Sequence, residues 1–225
     1  MKTLDQHIQG WKQWYSGDAD RIYRYYQRNA LSDTNEGRFW GSLDKDAFKS
    51  AVHMPLVGDI CETSANLLFS ESPEIDVEEG GRLTEFLQLN DFQSYLLEAA
   101  DIAAGMGGVF LKINTDPDLS DYPILTTVSP SGAKPIFKYD ILQGVSFYRF
   151  LQKDNEKKYY LKETRRVNGQ LEVIYEVVTF TLNGKEQSAK DEEVDIDVPD
   201  DYRLPTKSLG VVYVANHLPN RLFLG

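Results

Sequence analysis

The chain has 225 residues, 41% of them hydrophobic and 12% aromatic, enough for one large or two small domains with a buried core, which excludes disorder as its general state. Its 35 acidic and 24 basic residues leave a net charge of −11, which disfavours a protein that grips nucleic acid by neutralising many phosphates. A single cysteine, Cys61, rules out an intramolecular disulfide and a zinc site built on several thiolates.

The segment Met1 to His7 lacks the basic-then-apolar pattern of a signal peptide, and no apolar run reaches the length of a bilayer span. The sequence therefore reads as one that folds in the cytoplasm of the cell that makes it, with no membrane partner.

From Leu4 to Asn29, Ile8, Trp11 and Tyr15, then Ile22, Tyr25 and Tyr26, recur at helical spacing, broken by Ser16-Gly17-Asp18. Two helices are predicted. Gly17 can take the left-handed conformation that ends the first, and Asp18 can cap the second. Thr34 to Gly41, polar but carrying Phe39-Trp40, reads as a loop pinned by its aromatics. Between Asp44 and Ser70 the pattern is helical again, with Val57, Ile60, Cys61, Ser64 and Leu68 on one apolar face and Pro55 marking either a kink or a restart.

Ile75 to Gly81 is expected to be an acidic linker leading to a short helix with Leu83, Phe86 and Leu87. Asn90-Asp91 ends that helix and caps the next, in which Phe92, Tyr95, Leu96, Ala99, Ala103 and Met106 keep the helical period up to Gly107-Gly108.

After Gly108 the pattern alternates. Strands are predicted over Val109–Ile113, Ile124–Val128, Ala133–Lys138, Leu142–Leu151, Lys157–Arg166, Leu171–Leu182 and Val211–Ala215. Asn168-Gly169 signals a tight hairpin in which both residues take positive φ, Asn183-Gly184 a second turn, and Asp191 to Asp201 a solvated acidic loop. The fold class is α+β: a mainly helical region over 1–108 and a mainly β, largely antiparallel region over 109–225, together one unit.

Candidate chemistry is sparse. Gly105-Met106-Gly107-Gly108 follows a helix and precedes a strand, the reverse of a phosphate-binding loop, and lacks the lysine and hydroxyl that such a loop needs. His7, His53 and His217 pair with no further His or Cys at a ligand spacing, and Asp195 and Asp197 lack the glycine and later glutamate of a calcium loop, so no metal and no cofactor is expected. Cys61 sits on an apolar face, as a small core residue would.

No serine lies in a nucleophile-elbow pattern, and the chain is read as structural, not as an enzyme. Arg21, Arg24 and Arg28, interleaved with Tyr23, Tyr25 and Tyr26, raise the alternative of a nucleic-acid-binding module on the helix over 18–29, although one solvated and one buried helix face give the same pattern.

Four segments carry a resemblance. His53-Met54-Pro55-Leu56-Val57-Gly58-Asp59-Ile60 with Thr63 to Glu71 is the strongest; Trp14-Tyr15-Ser16-Gly17-Asp18, Glu98 to Ile113 and Asn216-His217-Leu218-Pro219-Asn220 accompany it in order. Together they resemble the N-terminal part of portal proteins from tailed bacteriophages, of the type found in siphophages and prophages of Gram-positive bacteria.

The resemblance implies a subunit of a ring of about twelve copies with closed symmetry, set at one capsid vertex of the virion, through which double-stranded DNA is packaged and ejected. It also implies contacts with other portal subunits and with terminase, scaffold, coat and head-completion proteins, the ATPase belonging to the terminase. The part present corresponds to the outer wing, with the stem, clip and crown of such portals following beyond this point. Within it, Trp11, Trp14, Tyr15, Tyr23, Tyr26 and Trp40 are the residues expected at subunit or capsid contacts, because aromatic rings bury large areas.

Overall fold

A computed structural model describes residues 4–30, 54–75, 81–139, 141–154, 157–181, 184–189 and 198–216. The protein is α+β. It divides into a helical unit that runs to Val109 and takes in Ala215 and Asn216, and a β unit from Phe110 to Val214.

In the helical unit, α1 (Leu4–Ser16) and α2 (Ala19–Ala30) meet at Gly17, whose φ of 62° is the left-handed turn the sequence predicts. The Asp18 carboxylate accepts the Arg21 N–H at 3.1 Å, capping α2. α3 (Leu56–Phe69) begins directly after Pro55, which settles the choice left open at that residue as a helix start. The segments expected as a loop over 34–41 and as helix over 44–53 lie outside the described residues, as does most of the linker over 75–81.

Short α4 (Gly81–Leu89) is followed by α5 (Phe92–Met106). Asp91 caps α5 through the Ser94 N–H, and Gly107, at φ 77°, ends it. Tyr95, Ala99, Ala103 and Met106 are its buried residues, one stripe at helical spacing.

The face of α3 differs from the expectation. Cys61 and Ala65 are buried, whereas Ile60 and Leu68 are exposed. α3 packs on α5 and against Tyr15 of α1. A Cβ at Gly58 would lie 3.3 Å from the Tyr15 carbonyl, so the backbones approach too closely for branched side chains, and small residues line the contact.

The β unit holds two sheets. One has three strands in the order β2 (Ile124–Val128), β1 (Gly108–Asn114), β9 (Val211–Ala215). The other runs β3 (Ala133–Lys138), β4 (Ile141–Asp154), β5 (Lys157–Asn168), β6 (Gln170–Phe180), β7 (Glu186–Ser188), with β8 (Tyr202–Leu204) also on β6. Its neighbours pair antiparallel.

The short strands β7 and β8 escaped sequence reading, since three residues carry too little alternation to register. At the β5–β6 hairpin only Gly169 takes positive φ, with Asn168 opposite Gln170, so the turn is tighter than the two-residue form expected. Gly184 closes the β6–β7 turn, donating its N–H to the Thr181 carbonyl at 2.8 Å.

Phe110, Val145, Phe147, Leu171, Val173, Leu209 and Val211 form the core of this unit. Phe110 meets Phe147 edge-on at 5.8 Å and Tyr213 at 4.8 Å.

Candidate interaction surfaces

Tyr15 is the hub of the helical unit. Its hydroxyl donates to Asp101 of α5, and burial, followed by that hydrogen bond and the Asp101 charge, pushes its pKa up. A Cβ at Gly105 would collide with the Tyr15 ring, and one at Gly17 would lie 2.5 Å from the Pro55 Cβ. The Asn216 N–H donates to the Gly107 carbonyl at 3.2 Å. Residues from all four segments that carry the portal resemblance thus pack within this one unit, joined through Tyr15, Pro55, Asp101, Gly105 and Gly107.

Cys61 belongs to the same cluster. Burial and the nearby Asp101 charge raise its thiol pKa, the opposite of what a nucleophile needs.

The six aromatics expected at contacts are placed differently from one another. Trp11 is 40% exposed and lies 6.2 Å, ring to ring, from His7. Trp14 and Tyr15 are half-buried, and Tyr23 is buried in the helical unit. Tyr26 lies on α2 with its side chain outside the description, and Trp40 is outside the described residues. Of the four whose side chains are described, Trp11 is the one whose ring stands open to solvent.

Arg21 and Arg24 of α2 pair with Asp18 at 3.2 Å and Asp20 at 3.7 Å, both exposed pairs one helical turn apart. The Arg28 side chain is outside the description. Stacking on the Arg/Tyr helix would need free tyrosine faces, and that of Tyr23 is inside the protein.

The β unit contains a buried ionic network that sequence reading missed. Arg165 of β5 is 1% exposed. Its Nε donates to Glu163 Oε1 at 2.6 Å, Nη1 to the Ile113 carbonyl at 2.7 Å, and Nη2 to Asn114 Oδ1 at 2.8 Å. Lys112 Nζ donates to the other Glu163 oxygen at 2.7 Å and lies 5.3 Å from the Phe147 ring centre. Desolvation lowers the Lys112 pKa, against the pull of Glu163. Because every partner is fixed, the network ties the three-stranded sheet to β5.

On the opposite face of the large sheet, Lys162 bridges Glu176 at 3.3 Å and Glu186 at 2.7 Å, and the Tyr148 hydroxyl donates to Glu186 at 2.7 Å. Burial alone would raise the Glu186 pKa, but the hydrogen bonds from Lys162 and Tyr148 outweigh it and hold the carboxyl below its ordinary value. Lys134 sits over the Tyr148 and Phe180 rings at 4.9 and 5.1 Å. The alternation Ser146, Tyr148, Phe150 in β4 and Tyr160, Lys162, Thr164 in β5 was the available signal for this surface.

A recess of about 420 Å³ between β6 and β8 is lined by Glu172, Val173, Ile174, Asp201, Tyr202 and Arg203. Its charges are already engaged: Glu172 accepts from Arg166 at 2.7 Å and lies 3.2 Å from Arg203, and Asp201 accepts the Tyr175 N–H at 2.8 Å.

Among the described residues no three His, Cys, Asp or Glu side chains are grouped to hold a metal ion, and no helix is long and apolar enough to cross a membrane. His7 is described and exposed, whereas His53, His217, Asp195 and Asp197 lie outside the described residues. No protein-family model matches the chain, and no curated protein matches it.

Proposed function

We propose that the chain is the wing-like N-terminal part of a structural subunit of a tailed-phage portal ring, the conduit for double-stranded DNA at one capsid vertex. The observation that carries this reading is the joint placement of the four resembling segments. Separated by up to about 200 positions along the chain, they supply Tyr15, Gly17, Pro55, Gly58, Asp101, Gly105, Gly107 and Asn216 to one packed helical unit. Because these residues meet in one unit, the reading treats the four segments as one structural neighbourhood and not as four separate short matches.

In this reading the role is mechanical. The neighbours are other portal subunits, with terminase, scaffold, coat and head-completion proteins meeting the assembled ring, which is built in the bacterial host cytoplasm and carried in the virion. The net charge of −11 fits an outer wing that does not grip DNA, because a phosphate-binding surface would be basic. The alternative, a nucleic-acid module on α2, is supported less well, since Arg21 and Arg24 face their own aspartates and Tyr23 is buried.

The test is localisation. Gold-labelled antibodies against the chain, applied to phage heads induced from a host that carries the gene, are expected to mark a single vertex per head. Heads that are unmarked, or marked over the whole shell, refute the proposal.

A further inference from the structure

α3 is apolar on two sides, and its contacts among the described residues use one of them. With about 100° of rotation per residue, Ala65 and Cys61 define the buried side, and Leu56, Ile60, Thr63 and Leu67 lie roughly opposite. Leu56 is 55% exposed, Ile60 63% and Leu67 80%. Their spacing of four, three and four residues is that of a coiled-coil seam, a row of knobs that a second helix can grip. A soluble helix ordinarily keeps one apolar stripe; a second, exposed one marks a contact surface.

The charge around this seam selects its occupant. From Met54 to Ile75 the chain carries Asp59, Glu62, Glu71 and Glu74 and no lysine or arginine, and all four carboxylates are exposed. Asp59 flanks the seam one position before Ile60, where coiled coils place the charges that choose a partner. Pairing of this helix with its copy in a second chain would set Asp59 and Glu62 against the same two acids, with no lysine or arginine on either helix to offset them, a repulsive arrangement.

We infer that the Leu56–Leu67 seam of α3 is a docking site for a cationic amphipathic helix of another protein, one with leucine-like residues along its seam and lysine or arginine on its flanks. The inference stands on α3 alone and does not rest on the portal reading.

The probe is a labelled synthetic peptide of three heptads with leucine at the seam and lysine on the flanks, compared with a twin carrying glutamate on the flanks. Fluorescence anisotropy with the full 225-residue chain is expected to show the lysine peptide binding at least tenfold more tightly than the glutamate peptide. The Ile60→Gln/Leu67→Gln variant, altered at exposed positions with a good helix former, should keep its circular dichroism and lose that binding at least tenfold. In Asp59→Lys/Glu62→Lys the preference between the peptides should narrow or invert.

Equal affinity for the two peptides overturns the inference, as does unchanged binding by Ile60→Gln/Leu67→Gln. A dimer of the chain in sedimentation that the same two substitutions dissolve also overturns it, because a second copy would then be the occupant.

Discussion

Replacing Glu163 by Gln keeps the size of the side chain and removes the negative charge that Lys112 and Arg165 share. Arg165 and Lys112 have side chains 1% and 12% exposed, so neither cation can recover its lost partner from water. The amide can still accept one hydrogen bond, but its NH2 then faces a donor. Breaking a buried pair by removing one partner costs about 3–5 kcal/mol, and the remaining Lys112–Arg165 repulsion places this variant within that range. Against a total stability of roughly 5–15 kcal/mol, the loss is large.

Trp11 and Trp14 lie on α1, so their fluorescence reports the helical unit, while far-UV circular dichroism during urea unfolding also reports the sheets. Glu163→Gln should shift the dichroism transition to lower urea, and adding Lys112→Met should recover part of the loss by removing one uncompensated cation. The two substitutions also separate by pH. The Lys112 pKa is depressed in the folded state, so between that value and the ordinary 10.5 the unfolded chain binds more protons, and this lysine makes stability rise with pH across the window. Lys112→Met should abolish that contribution. A loss below about 1 kcal/mol for Glu163→Gln, the level of an exposed ion pair, or a larger loss in the double variant, refutes the reasoning.

Two further outcomes follow from the helical unit and the tyrosines. Gly105→Ala gains up to about 1 kcal/mol of helix propensity, yet its Cβ meets the Tyr15 ring, so a net loss of about 1–3 kcal/mol is expected from overpacking. Urea unfolding followed by tryptophan fluorescence decides, and a stabilised variant would show that the ring yields. Burial raises the pKa of Tyr15, Tyr95, Tyr148 and Tyr175, with Tyr95 moved from 10.0 to about 12. The folded chain therefore holds protons that the unfolded chain releases, and these groups make stability fall as pH rises above 10. In an ultraviolet titration of the 13 tyrosines, this group should ionise late and together with unfolding; complete ionisation of all 13 near pH 10 in a folded chain would contradict the burial.

Local chemistry made much of the chain readable in advance. Gly17 and Gly107 were recognisable as helix ends because only a residue without a side chain adopts their φ angles of 62° and 77° without strain. The stripe Tyr95, Ala99, Ala103, Met106 and the change to alternation after Gly108 marked helix and strand, since both periods follow from backbone geometry within a few residues.

What tertiary structure decided depends on residues far apart in sequence. Sequence periodicity grouped Ile60 and Leu68 with Cys61, but the approach of Tyr15 and α5 admits only small residues there and turns the larger ones outward. Glu163 and Arg165 read as ordinary charges of an alternating strand, and nothing local distinguishes them from solvated ones. They are buried because β5 lies over Lys112, Ile113 and Asn114 of β1, some fifty residues earlier, whose amine, carbonyl and amide complete their hydrogen bonds. The sequence by itself therefore determined the described helices and the longer strands, through forces acting over one turn or one pleat. Which faces are buried was decided by pairings across the fold, because burial of a charge or a leucine is settled by what stands opposite it.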